Sequence, residues 1–192
     1  IVSGGLSKWC GAGGWRLGTF LFPHSLDWLR DAMAAVASET YTSTCAPVQF
    51  AAVRAYAGGM AIERYLERAR RILRRLGLWC WRHLTDAGVE VAEPKGAFYL
   101  FCDFVRYRER LNLAGIATSG DLCARILDET GVAMLPGTAF GRPPDELTVR
   151  IAYVDFDGAG AMARLERLPA DVPLDDETVC SWAPNVVEAI ER

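Results

Sequence analysis

Histidine and lysine are both scarce in this chain of 192 residues. The two histidines, His24 and His83, have no ligand-type neighbours, and the six cysteines (Cys10, Cys45, Cys80, Cys102, Cys123 and Cys180) form no C-x-x-C pair. Such spacing offers zinc no ligand set and gives no sign of a disulfide scaffold. The cysteines are expected to be buried free thiols of a reducing, cytoplasmic compartment. Positive charge is not in excess either. A formal net charge of −3 gives no electrostatic footing for nucleic acid. No apolar run approaches the roughly 18 residues needed to cross a bilayer, so no membrane partner is expected. Internal repeats and low-complexity segments are missing as well. What remains is 51% hydrophobic and 23% charged, the balance of a globular protein with room for one large domain or two small ones.

Lysine occurs twice, as Lys8 and Lys95, and the first lies in the most informative stretch of the chain, Gly5-Leu-Ser-Lys-Trp-Cys-Gly-Ala-Gly-Gly-Trp-Arg-Leu-Gly18. Gly11, Gly13, Gly14 and Gly18 surround Lys8, Ser7 precedes it, and Arg16 follows within the same loop. A lysine amine can form a Schiff base with an aldehyde. An arginine fork can clamp a phosphate through paired, charge-assisted hydrogen bonds. Glycines let backbone approach a ligand closely and adopt positive φ. Pyridoxal 5'-phosphate carries both the aldehyde and the phosphate. A plainer account is also available, since most lysines are solvated and a glycine-rich loop needs no ligand; Arg16 in register with Lys8 speaks against it.

The same residues resemble the lysine-site motif of class I and II aminotransferases, the fold-type I pyridoxal-phosphate enzymes. Gly5, Leu6, Ser7, Lys8, Gly11, Ala12, Gly14, Arg16, Leu17 and Gly18 fit it. The resemblance implies Lys8 as the Schiff-base lysine and proton shuttle and Arg16 as a phosphate ligand. Gly5 stands where many relatives carry a phosphate-binding serine, which leaves the Ser7 hydroxyl as a candidate replacement. Because family members are longer and carry their lysine past the middle, the sequence is expected to be the C-terminal part of such an enzyme. The ring-stacking aromatic and the acid on the pyridine nitrogen are then expected upstream, and the fragment is expected to be inactive alone.

Along the chain, residues 1–4 and 15–22 read as strands flanking the lysine loop. A helix capped by Ser25 is expected through about residue 38, with Asp27 in its first turn. A Ser/Thr-rich loop over 39–45 follows, then a helix from Pro47 to about Tyr56. Residues 60–86 read as one long helix. Tyr65, Ile72, Leu73, Leu76 and Leu84 lie on its apolar face and six arginines (68, 70, 71, 74, 75 and 82) on the other. The basic face is expected to be solvated, with local pairs such as Glu67–Arg71. Strands are expected over 89–92, 97–104, 132–135 and 147–154. Helices are expected over about 120–130, capped by Thr118 or Ser119 and closed by Gly131, over 157–167 with Asp157 as cap, and once more after Asp175-Asp176. Alternating helices and strands give an α/β fold. By resemblance it is the C-terminal part of the large cofactor domain (1–72) plus the α/β small domain (73–192). Two further segments look like family motifs: Glu93-Pro-Lys-Gly-Ala-Phe-Tyr99 and Pro136-Gly-Thr-Ala-Phe-Gly141.

Arg150 stands inside an apolar strand, where a charge needs an anionic partner. That partner is either a carboxylate of the chain, such as Asp103 or Asp155, or a ligand. The resemblance implies the ligand: an arginine in this segment binds the substrate α-carboxylate in aminotransferases, and a bidentate pair fixes the amino acid with its Cα–H toward the cofactor. The implied reaction is ping-pong transamination between an amino acid and a 2-oxo acid, in a homodimer when full length. Lys8, Arg16 and Arg150 would also serve a β-lyase, cyclase or decarboxylase of the same fold, or the aminotransferase-like sensor domain of a transcription regulator. Residues 38–46 contain no basic side chain, which argues against a dicarboxylate substrate bound through that loop.

Overall fold

The structure, a computed structural model, describes residues 1–169 and 172–192. The chain divides into two compact units, Ile1–Glu67 and Arg68–Arg192. In the first, β1 (Val2–Gly5) runs into a single helical turn, α1 (Leu6–Trp9), and returns as β2 (Gly18–Leu21), antiparallel to β1 with Gly5 opposite Gly18. The second strand starts later than the sequence suggests. Residues Gly13–Trp15 form a 3-10 turn and Arg16 takes a left-handed conformation (φ 53°, ψ 49°), so extension begins only at Gly18. Helices α2 (Asp27–Thr40) and α3 (Ala46–Tyr56) follow. Ser25 is not the cap of α2. A 3-10 turn over His24–Leu26 leads in, and Leu26 holds the cap position without a side-chain bond. Pro47 sits in the first turn of α3, where its missing N–H costs nothing.

Helix α4 (Met60–Asp86) spans 27 residues, beginning in the first unit and continuing into the second. Its apolar stripe delivers Leu76, Trp79, Cys80 and Leu84 to the core of the second unit. The arginine face does not stay with its own helix as expected. Arg71 donates to the Val172 carbonyl at 2.7 Å, Arg68 pairs with Glu166, and Arg75 and Arg82 share the Asp176 carboxylate, each at 2.8 Å. These partly exposed pairs contribute up to about 1 kcal/mol each.

The second unit is built on an antiparallel sheet in the order β3-β4-β6-β5, from β3 (Glu90–Val91), β4 (Tyr99–Asp103), β5 (Leu135–Pro136) and β6 (Thr148–Ala152). Alternation along β4 sends Leu100 and Cys102 into the core, with Val149 of β6 beside them. The opposite face carries Tyr99, Phe101 and Arg150, and Phe101 is the direct cross-strand neighbour of Arg150. Around the sheet lie α5 (Arg108–Leu113), α6 (Ser119–Thr130), α7 (Gly158–Glu166), α8 (Asp176–Trp182) and α9 (Pro184–Glu191). Thr118 caps α6 in a reciprocal box with Asp121. The Thr118 hydroxyl, then the Thr118 and Ala117 N–H groups, hold the Asp121 carboxyl below its ordinary pKa. A depressed carboxylate adds stability above its unfolded pKa and loses it as pH falls through the folded one, so this cap is at full strength at neutral pH and is lost only in acid. Asp157 accepts from the Gly160 N–H and caps α7. The single terminal helix expected from the sequence is two, broken at Ala183 ahead of Pro184.

Two close approaches fix the packing. Gly77 in α4 faces the fully buried Tyr153; a Cβ there would sit 2.6 Å from the phenol oxygen. Gly137 faces Thr148, whose Oγ1 would be 2.0 Å from such a Cβ. Gly137→Ala is expected to cost about 1–3 kcal/mol by overpacking, read as a lower denaturation midpoint. Because Thr148 Oγ1 is buried without a partner among the described residues, adding Thr148→Ala to that variant should recover part of the loss. A single variant as stable as the parent would contradict this contact.

All six cysteines are free. Cys80, Cys102 and Cys123 are buried as expected, Cys10 and Cys180 are half-buried, and Cys45 is exposed. Burial pushes the Cys80 and Cys102 thiols up to about 12. An alkylating reagent at pH 8 should therefore modify Cys45 within minutes and reach Cys80 and Cys102 only on unfolding, as peptide mapping would show. Early label on Cys102 would refute the burial of β4.

Candidate functional site

In the first unit, local structure presents the lysine loop. Leu6 is buried with Leu17, Val48 and Ala52, which seats α1 on α3. The Leu6 N–H donates to the Leu17 carbonyl at 3.3 Å, and the Ala12 N–H to the Leu6 carbonyl at 3.1 Å, closing the loop on itself. The Tyr65 hydroxyl donates to the Cys10 carbonyl at 2.8 Å. Trp9 packs on Tyr56 with ring centroids 5.5 Å apart. Gly11 has φ +65°, and a Cβ there would meet the Tyr65 oxygen at 2.9 Å. Glycine is thus required at that turn on two counts.

Lys8, Ser7 and Arg16 line one cavity of about 580 Å³, together with the backbone of Gly4, Gly5 and Gly18. Its size lies within the range of small-molecule sites. Arg16 donates one N–H to the Gly13 carbonyl at 3.0 Å, and its other guanidinium donors have no protein partner among the described residues. Its left-handed backbone is one of three positive-φ conformations at non-glycine residues, a strained arrangement of the sort that concentrates at ligand sites. An amine, a guanidinium, a hydroxyl and glycine backbone around one hollow form a donor set that fits an aldehyde bearing a phosphate.

Arg150 belongs to the second unit. Neither Asp103 nor Asp155 pairs with it. The Asp103 carboxylate accepts from the Val105 N–H, and Asp155 accepts from Asn185. The Arg150 guanidinium carbon instead lies 4.3 Å from the centre of the Tyr99 ring and 4.4 Å from that of Phe140. Among the described residues it has no carboxylate within ion-pair distance. The residues are brought together from two motifs recognised in the sequence only separately, the segment ending at Tyr99 and the loop holding Phe140. The period-2 alternation of β4 with its pairing to β6 is the signal that could have placed Tyr99 on the arginine's face.

A larger cavity of about 970 Å³ also lies in the second unit, walled by Leu84, Val89, Leu111, Ile126 and Ile151 among others. Its charged rim is internally satisfied, with Arg125 on Glu129 and Arg192 on Glu188. Groups of histidine, cysteine and carboxylate residues that could hold a metal ion do not occur among the described residues. Nor is any described helix long and apolar enough to cross a membrane.

The elements and residues above are those of a fold-type I aminotransferase, in part. The chain belongs to the family of class I and II aminotransferases, whose model matches residues 1–157; the family works with pyridoxal phosphate on amino acids and 2-oxo acids. It is 31% identical over 153 residues to the aspartate aminotransferase of Geobacillus stearothermophilus, covering 80% of this chain and 36% of that protein. To aromatic-amino-acid aminotransferase 2 of Thermococcus litoralis it is 32% identical over 155 residues, with the same coverage. The crystal structure of Thermus thermophilus aspartate aminotransferase with maleate superposes with a TM-score of 0.66 at 28% identity, over 86% of this chain and 40% of that one. The chain thus spans little more than a third of the length of these relatives.

Proposed function

We propose that the polypeptide containing these residues transfers an amino group between an amino acid and a 2-oxo acid, with pyridoxal 5'-phosphate held at Lys8. The observation that carries this reading is the convergence of Lys8, Ser7 and Arg16 on one cavity. Arg16, with its unpartnered donors, binds the phosphate, and the Ser7 hydroxyl adds a contact where Gly5 has no side chain. The cofactor, when bound, supplies a carbonyl that condenses with amines and a conjugated ring that accepts an electron pair. Arg150 pairs with the substrate carboxylate and sets the direction of the Cα–H bond. The Lys8 amine accepts the Cα proton and returns it one atom away, a task for a single positioned base.

Residues 1–72 on this reading are the C-terminal part of the cofactor domain and 73–192 the small domain, which the compact units Ile1–Glu67 and Arg68–Arg192 support. A homodimer in the cytoplasm is the setting we propose. Exposed Trp28, Phe50, Val53 and Met60 of the first unit support a covered surface there. The test is a half-reaction. Given an amino acid and no acceptor, the loaded enzyme should release one equivalent of 2-oxo acid and stop until a second 2-oxo acid is added. Release of carbon dioxide or of a β-substituent would instead assign the residues to a decarboxylase or a lyase, and tight amino acid binding without product to a sensor.

A further inference from the structure

We infer that Tyr99 and Phe140 are positioning residues that set how tightly the protein holds a substrate carboxylate, by fixing the Arg150 guanidinium before the substrate arrives. The inference rests on the carboxylate role proposed for Arg150. A half-buried arginine without a carboxylate partner would ordinarily wander among rotamers, and ordering it would tax each binding event. Here the guanidinium carbon is held 4.3 Å from one ring centre and 4.4 Å from another. Those rings come from separate places: Tyr99 from β4, and Phe140 from the 3-10 turn Gly137–Phe140. Each is itself fixed. Phe140 meets Phe101 edge-on with centroids 5.9 Å apart, and Tyr99 packs on Phe98 at 4.5 Å. Phe101 is in turn the cross-strand neighbour of Arg150.

An aromatic face attracts a guanidinium without consuming its N–H donors, which lie in the guanidinium plane. A carboxylate of the chain at the same place would consume them. Rings therefore restrain the cation and leave its hydrogen-bonding edge for a ligand, while shedding water from its surface and strengthening the charge-assisted bonds made there. This differs from an arginine held by an aspartate, whose charge is already spent. The property selected is affinity for a carboxylate, with no direct contact between either ring and the reacting atoms.

A double-mutant cycle in the holoenzyme tests it. Phe140→Leu should raise KM for amino acids, and the dissociation constant for the α-methyl form of the best donor, by roughly three- to tenfold, with kcat within about twofold. Tyr99→Leu should act likewise, whereas Tyr99→Phe, which keeps the ring, should hold KM within about twofold. In the Arg150→Ala background, Phe140→Leu should change neither quantity further. Phe140 is 41% exposed, so its truncation should leave the fold intact, and the unfolding midpoint checks this. An unchanged KM for Phe140→Leu, or an equal rise in both backgrounds, overturns the clamp while leaving the carboxylate role of Arg150 standing. If Arg150→Ala itself leaves KM unchanged, that role and the clamp fall together.

Discussion

Lys8→Ala should lower turnover by on the order of 10³-fold or more, because one side chain supplies both the covalent hold on the cofactor and the base that moves the Cα proton. Lys8→Arg should do no better, since a guanidinium keeps the charge but neither condenses with a carbonyl nor gives up a proton near neutral pH. The parent enzyme should show a visible absorption band that borohydride bleaches, and peptide mapping should then find the pyridoxyl group on Lys8. The assignment is unusually easy to check because only Lys95 competes for the label. Lys95 lies exposed between β3 and β4 in the other compact unit. A pyridoxyl group there would overturn the reading of the lysine loop.

The second large effect is expected at Arg150. Removing one member of a desolvated, bidentate charge pair costs about 2–5 kcal/mol, so Arg150→Ala should raise KM for amino acids by roughly thirtyfold to several thousandfold. Cofactor absorption should be nearly unaffected, since Arg16 and Lys8 lie in the other compact unit. Arg150→Lys should recover only part of the loss, a point charge replacing a planar fork. Unchanged kinetics for Arg150→Ala would reduce the residue to a packing role between Tyr99 and Phe140.

Much of the scaffold was written locally and could be read locally. The periodic leucines and arginines of residues 60–86 mark a helix whose ends fall at Met60 and Asp86. Thr118, Asp121 and Gly131 bracket α6, and Asp157 caps α7. Each of these signals is satisfied within a few residues of itself. What the sequence hid depends on the path of the backbone or on distant partners. Ser25 has the chemistry of a cap, yet a 3-10 turn moves the helix start beyond it. Helix α5, six residues long, is too short for periodicity to register. Arg71 finds the carbonyl of Val172 about a hundred residues away in preference to Glu67. The site divides in the same manner. The Lys8–Arg16 loop was legible because both residues sit in one short segment. The surroundings of Arg150 were not, because Tyr99, Phe140 and Arg150 meet only once β4 and β6 have paired.

The contact between Gly77 and Tyr153 bears on how this sequence can drift. Within a long helix, alanine is favoured over glycine by about 1 kcal/mol, so the glycine at position 77 stands against its local preference. The phenol of Tyr153, 2.6 Å from where a Cβ would lie, explains its retention, and the cost of overpacking exceeds that local gain. The two positions are therefore coupled in descent. A lineage that gains a side chain at 77 must already have lost bulk at 153, and a lineage that keeps tyrosine at 153 keeps glycine at 77. Among homologues, that pairing should persist even where the arginine face of α4 has been rewritten, because the arginine contacts are replaceable one at a time and this one is not.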